Sequence, residues 1–338
     1  MSKLSNIIIS RTDSIGDVVL TLPMAAVLKE HYPKIKVAFM GKAYTRPVIE
    51  ACKYVDEFID VNDFLTKRIT VKGEKPAAII HVLPKPDLAK RAKQLKIPVR
   101  IGTRNRLYHW LTCNKLVKLS RKNSELHEAQ LNIILLSPLG ITKEYSRAEI
   151  GHLYGLEKIE TLDSEFASLI KNDRYNLILH PKSQGNGREW PIEKFIELVK
   201  MLDKKQFNIF VSGTEKERKK LATLFDTVGD DVTDMTGKMS LAQFISFINK
   251  CDGLLASGTG PVHIAAALGK NALGLYPPLR PVHLGRWEPL GPHTKVFVTN
   301  RECHKCTNPS ACLCMQEIQA NGVEKAIENF ASQKLVRL

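Results

Sequence analysis

The 338-residue chain lacks a long apolar run, and its opening MSKLSNIIISRTDS offers only a handful of apolar residues in a row. Neither a signal peptide nor a membrane-spanning helix is therefore expected, and the expected location is the cytoplasm. No internal repeat or low-complexity tract occurs, which excludes solenoid and fibrous architectures. GxGxxG and GxxxxGK[ST] are both missing, which removes the usual signatures of dinucleotide oxidoreductases and P-loop enzymes. No helix-turn-helix, zinc-finger or RNA-binding signature is found, so nucleic acid is not the expected partner.

What is present is ordinary globular composition, 43% apolar and 25% charged. A chain of this length exceeds the usual size of one core, and two domains are expected. Net charge is +15, and it is concentrated. Between Lys67 and Lys122 sixteen Lys and Arg face two acidic residues, Glu74 and Asp87, a local charge of +14. Such a single-sign field attracts phosphates or an anionic membrane, although a solvated basic face would read the same way. Tyr108 and Trp110 lie inside it, in RNRLYHWL. Seven cysteines are present. Cys52, Cys113 and Cys251 stand alone and read as buried thiols, whereas Cys303, Cys306, Cys312 and Cys314 form CxxC followed by CxC. That cluster reads as a cysteine-rich loop, with a zinc knot as the other possibility.

Apolar runs and turn residues alternate along the chain as βα units, predicting an α/β fold with doubly wound sheets. NIIIS (6–10), KVAFMG, DEFIDV and AAIIHVL read as strands, with helices over 18–31 and 126–139. The pattern restarts at Asn176 with NLILH, FNIFVSG and GLLASG as strands and IEKFIELVKMLDKK as a helix. Domains over 1–170 and 171–338 are expected. Ligands of open α/β sheets sit at the carboxyl ends of the strands, so two such sheets facing one another would form one interdomain cleft.

Three turns at strand ends carry the chemistry. In SGTGPVHIAAALG, Thr259, Gly260 and Pro261 open a helix whose free amides and dipole favour a phosphate, or they form a simple tight turn. In HPKSQGNGREWP, Lys182, Ser183 and Arg188 surround a glycine-rich loop suited to a diphosphate, or to an ordinary surface loop. In SIGD, Ser14, Gly16 and Asp17 stand at the first strand-to-helix turn, where Asp17 is either a working carboxylate or an N-cap.

RTDSIGDVVLTLP, HPKSQGNGREWP, GKMSLAQF and ASGTGPVHIAAALG, in this order, resemble glycosyltransferase family 9, the ADP-heptose:lipopolysaccharide heptosyltransferases. LHEAQLNIILLSPLGI fits as well. The resemblance implies a GT-B architecture, two Rossmann-like domains with the acceptor held by the first and the donor by the second. It implies Asp17 as general base and Arg188 at the donor phosphates and sugar. Ser183 and Lys182 fall beside the phosphates, Thr259, Gly260 and Pro261 at main-chain contacts to the diphosphate, Glu217 and Met239 at the adenosine, and His263 in a supporting role. Ser14, Gly16, Lys85, Arg104 and Arg106 are the candidate acceptor contacts. The implied reaction moves heptose from ADP-heptose, with inversion and without a metal or other cofactor, to an anionic glycolipid of the Kdo–lipid A type at the cytoplasmic face of the inner membrane. One residue departs from the pattern. Gly258 stands where family members often carry an acid facing the donor sugar, which leaves open a UDP- or GDP-sugar donor for another cell-surface glycan.

Overall fold

The computed structural model describes residues 4–122, 124–183, 187–279, 282–303 and 312–335. The chain divides into two compact units, Met1–Ile159 and Glu160–Leu338. Residues 160–170, which the sequence reading gives to the first domain, bond within the second: Ser246 Oγ donates to Glu160 O at 2.8 Å, and Gln243 Nε2 to Thr161 O at 3.1 Å.

Six strands form the first sheet: β1 (Asn6–Ser10), β2 (Lys36–Gly41), β3 (Glu57–Asp60), β4 (Ala78–His81), β5 (Val99–Thr103) and β6 (Lys115–Val117). Their order is β3-β2-β1-β4-β5-β6, and every pair is parallel. All five residues of β1 are buried, as a central strand covered on both faces requires. On one face Ile8, Met40 and Ile79 pack against Leu88 and Ala92 of the helix Pro86–Gln94.

The second sheet holds β7 (Tyr175–His180), β8 (Phe207–Val211), β9 (Thr233–Asp234), β10 (Gly253–Ser257), β11 (Asn271–Leu275) and β12 (Thr294–Phe297). It is ordered β12-β11-β10-β7-β8-β9, again wholly parallel and the same permutation as the first. Its core gathers Leu177, Leu179, Trp190, Phe195 and Leu198 with Val323 and Ile327 of the C-terminal helix Ala320–Leu335.

Two expected helices are shorter than the sequence pattern indicates. The run over 18–31 is two helices, Ile15–Val19 and Pro23–His31, because Pro23 brings no N–H to continue the first. The run over 126–139 is helical only from Glu128 to Ile134; a 3₁₀ turn with Pro138 follows, closed by Gly140 at φ 88°.

Candidate functional site

Because both sheets are parallel throughout, every loop after a strand lies on one edge of its sheet. Order reverses between β1 and β4 in the first sheet and between β7 and β10 in the second, and those switch points are where doubly wound sheets bind ligands. The sequence-derived candidates all follow the carboxyl ends of strands: Ser14, Gly16 and Asp17 after β1, Lys85 after β4, Arg104 and Arg106 after β5, Lys182, Ser183 and Arg188 after β7, Glu217 after β8, Met239 after β9, and Thr259, Gly260, Pro261 and His263 after β10.

At the β1 edge Asp17 is not the cap of its helix. Ser14 is the N-cap residue, and Asp17 stands in the first turn with its side chain 16% exposed. One Asp17 carboxylate oxygen accepts from Arg11 Nη2 and the other from Ser14 Oγ. Arg11, buried just beyond β1, also donates through Nε to Asp13 at 2.7 Å and through Nη1 to Glu128 at 2.9 Å. Arg121 reaches the same Glu128 oxygen at 2.9 Å and Asn132 Oδ1 at 2.9 Å. Asn132 in turn donates to Thr21 Oγ1 at 3.1 Å, and Thr21 to the carbonyl of Asp17 at 2.8 Å. The result is a closed network of three carboxylates and two guanidiniums that fixes Asp17 from both sides. Burial pushes the Asp13 carboxyl up to about 6; Arg11 draws it down and the neighbouring Asp17 charge adds to the rise. For Arg11 burial alone would favour loss of the proton, but Asp13, Asp17 and Glu128 outweigh it and raise its proton affinity. Arg11, Asp13, Glu128, Asn132 and Arg121 were not singled out from the sequence. Arg-x-Asp directly after an apolar strand is the only local signal they leave, since Glu128 meets Arg11 across 117 positions.

Beneath the same edge Ser10 and His81 are register partners on β1 and β4, both fully buried. Neither ring nitrogen of His81 has a hydrogen-bond partner among the described residues, and burial, with His109 nearby, pushes its pKa down to about 3. It is a neutral imidazole at pH 7. Lys85 precedes the helix Pro86–Gln94 as its N-cap residue, and Arg104 and Arg106 are exposed. What these three share with Asp17 is the edge.

At the β7 edge Lys182 Nζ donates to Glu189 Oε2 at 2.9 Å and the Ser183 amide to Glu189 Oε1 at 3.0 Å. Glu189, not picked out from the sequence, thus ties the two ends of the loop together. Trp190 anchors the loop, its Nε1 donating to Ile318 O at 3.0 Å and its ring meeting Phe195 edge-on at 4.8 Å. Gln184, Gly185 and Asn186 lie outside the described residues. Gly187 sits where a Cβ would come 3.1 Å from Ser183 Cβ and 3.6 Å from the Gly258 carbonyl, so this loop and the β10 turn touch. His180 ends β7, its Nδ1 2.9 Å from Ser212 Oγ, and burial pushes its pKa down to about 4.

The β10 turn opens the eight-residue helix Gly260–Ala267, with Pro261 in its first turn. Thr259 is the N-cap residue, yet its hydroxyl makes no cap bond; both Thr259 Oγ1 and Ser257 Oγ lack a hydrogen-bond partner among the described residues. The free amides of the helix start lie next to the loop that carries Ser183 and Gly187, an arrangement suited to phosphate oxygens, while the Ser257 and Thr259 hydroxyls are themselves buried. His263 is buried within this helix. Glu217 is nearly buried, its carboxylate accepting the Thr214 amide at 2.7 Å in a capping box, and Met239 is half-buried ahead of the helix Leu241–Lys250.

Gly258 has a steric partner. A Cβ there would fall 2.6 Å from the ring of Tyr276, and one on Gly274 would fall 2.6 Å from the ring's other side. Tyr276 is 1% exposed. The space an acidic side chain would occupy is thus filled by an aromatic ring held between two glycines.

In the second unit's core the Cys314 thiol contacts those of Cys303 and Cys312, and burial pushes it up to about 12. Cys306 lies outside the described residues. Among the described residues no group of three or more His, Cys, Asp or Glu is arranged to hold a metal, and no helix is long and apolar enough to cross a membrane.

Residues 88–314, two thirds of the chain, match the family model for glycosyltransferase family 9 (heptosyltransferase). A lipopolysaccharide core heptosyltransferase, OpsX, of Haemophilus influenzae is 24% identical over 306 residues, covering 87% of this chain and 85% of that one. The glycosyltransferase family 9 structure from Veillonella parvula superposes with a TM-score of 0.78 at 20% identity, over 98% of this chain and 99% of that one. The Escherichia coli heptosyltransferase WaaC solved with ADP gives 0.71 at 19% identity, over 96% and 99%. With two parallel Rossmann-like sheets and a family match over most of its length, the chain belongs to glycosyltransferase family 9 and has the GT-B fold.

Proposed function

We propose that the protein is an inverting heptosyltransferase that moves heptose from ADP-heptose to a lipopolysaccharide inner core of the Kdo–lipid A type. The observation that carries this reading is the start of the helix Gly260–Ala267 at the second sheet's switch point, next to the loop that carries Ser183 and Gly187. In this reading the second unit binds the donor and the first the acceptor, with Ser14, Gly16, Lys85, Arg104 and Arg106 toward the acceptor sugar. Glu217 and Met239 lie toward the adenosine, and His263 supports the turn from within its helix.

The reaction is a single displacement. Asp17 accepts the proton of an acceptor hydroxyl as that oxygen attacks the anomeric carbon, and the bond to ADP breaks on the opposite face. Asp17 already accepts from Arg11 and Ser14, but each carboxylate oxygen has a second lone pair for the incoming hydroxyl. Arg188 and the helix amides meet the charge that develops on the diphosphate, and Lys182 joins them from its pairing with Glu189. This allocation of charge needs no metal ion. Peripheral attachment to the cytoplasmic face of the inner membrane would bring the enzyme to a lipid-linked acceptor.

A UDP- or GDP-sugar donor for another cell-surface glycan is the second reading, favoured by the ring of Tyr276 where an acid would face the sugar. A thermal-shift panel separates the two. ADP and ADP-heptose are expected to stabilise the fold more than UDP or GDP ligands do, where a bound ligand at a hundredfold excess over its dissociation constant adds about 2.7 kcal/mol over the ligand-free protein. A clear preference for UDP or GDP ligands would transfer the assignment to the second reading.

A further inference from the structure

The short helix Leu107–Thr112 turns an apolar face outward from the most basic part of the chain. Leu107, Trp110 and Leu111 are 87%, 54% and 75% exposed, and their spacing at i, i+3 and i+4 places them together. Among the described residues eight large apolar side chains are exposed, and three of them are on these six positions. Scattered exposed leucines need no explanation, whereas a contiguous patch does. The inner side of the helix is fixed. His109 is fully buried over Gly102, where a Cβ would come 2.6 Å from its Nδ1, and the Thr103 amide bonds that nitrogen at 3.0 Å. Repacking inward is thereby blocked, and the outer face stays presented.

Cations rim the patch. The Arg104 guanidinium lies 5.5 Å over the Trp110 ring, whose Nε1 donates to Arg104 O at 3.0 Å. Lys93 Nζ caps the far end of the helix by donating to Leu111 O at 2.8 Å, Arg106 stands at its N-cap, and Lys90 is exposed one turn before Lys93. Asp87 is the one acidic residue between Lys75 and Lys122. Aliphatic and indole side chains inside a ring of Lys and Arg match the boundary between acyl chains and anionic headgroups, with the cationic stems lying along the interface. A second copy fits poorly, because an isologous contact would set two such cationic rims against each other.

We propose that the helix Leu107–Thr112 is a membrane-docking wedge for bilayers rich in anionic lipid, with Leu107, Trp110 and Leu111 entering the headgroup–acyl boundary. Its biological sense rests on the lipid-linked acceptor proposed above, but its readouts do not need turnover. The full chain is sedimented with vesicles of phosphatidylcholine alone or mixed with phosphatidylglycerol, and tryptophan emission is followed with Trp110→Phe as control. Binding to the mixed vesicles is expected, with a blue shift that Trp110→Phe abolishes. The double variant Leu107→Ser/Leu111→Ser should weaken partitioning by at least about tenfold while melting no lower than the parent, since both side chains are exposed. Binding should also weaken steeply with salt, because exposed charges are screened beyond about 8 Å at physiological ionic strength. Equal partitioning of parent and double variant would overturn the proposal, as would absence of binding to the mixed vesicles. A parent dimer that the double variant dissolves, without vesicle binding, would assign the patch to self-association. Vesicle binding of the expected kind without any sugar transfer would remove the functional reading and leave this one standing.

Discussion

Asp17→Asn is expected to lower turnover by roughly 10²–10⁴-fold, the usual contribution of a general base, while leaving donor affinity within a few-fold. The geometry separates chemistry from structure at this position. An asparagine keeps an oxygen for Arg11 and a polar group for Ser14, so the two contacts that orient Asp17 have replacements. The network around it holds three carboxylates against two guanidiniums, and losing one negative charge brings it to balance. Little stability should be lost, because the N-cap is Ser14 and not Asp17. Steady-state kinetics beside a melting curve checks this. A folded variant with normal turnover would assign Asp17 to the network alone.

Arg11→Met should have the largest effect on stability. It leaves Asp13, Asp17 and the nearly inaccessible Glu128 facing one another, with Arg121 still on Glu128, and breaking a buried charge pair from one side costs on the order of 3–5 kcal/mol. The penalty should depend on pH in a definite direction. Asp13 already titrates near 6 in the folded protein, above its ordinary value of 3.8, so the folded state gains on protonation between those values. Without Arg11 to hold it down, Asp13 takes up a proton still more readily, and repulsion is relieved as pH falls. The stability difference between variant and parent should therefore be smaller at pH 5 than at pH 7. Urea unfolding of both proteins at both pH values measures it; a difference under about 1 kcal/mol, or one indifferent to pH, would show that Arg11 does not hold the network together.

The strand-end turns were legible because their signal is local. A fully apolar strand followed by glycine, proline and small hydroxyl residues states both the element and its end, as at NIIIS–RTDSIGD and GLLAS–GTGP. What escaped depends on partners distant in sequence. Glu128 belongs to the Asp17 network only through folding, and Glu189 reads as one more charge in a loop until both of its oxygens are seen occupied by Lys182 and the Ser183 amide. Gly258 reads as a lost acid; the register of β10 against β11 is what brings Gly274 and Tyr276 beside it. Short or mixed strands such as β6, three residues in a basic segment, and β11, which follows directly on a helical run, carry too little periodicity to be read. The basic stretch was visible as charge. That Trp110 faces outward beside Leu107 and Leu111 while Tyr108 is half-buried was not.

Heptose transfer from ADP-heptose by direct displacement leaves a product that distinguishes it from every other reading. Incubating the protein with ADP-heptose and a Kdo–lipid A acceptor in the presence of a metal chelator, then reading acceptor mass and the anomeric configuration of the new linkage, tests it most directly. The expected product is an acceptor heavier by one heptose, joined with the configuration opposite to that of the donor. An unchanged acceptor mass under conditions where a UDP- or GDP-sugar is transferred, or a product of retained configuration, would contradict it.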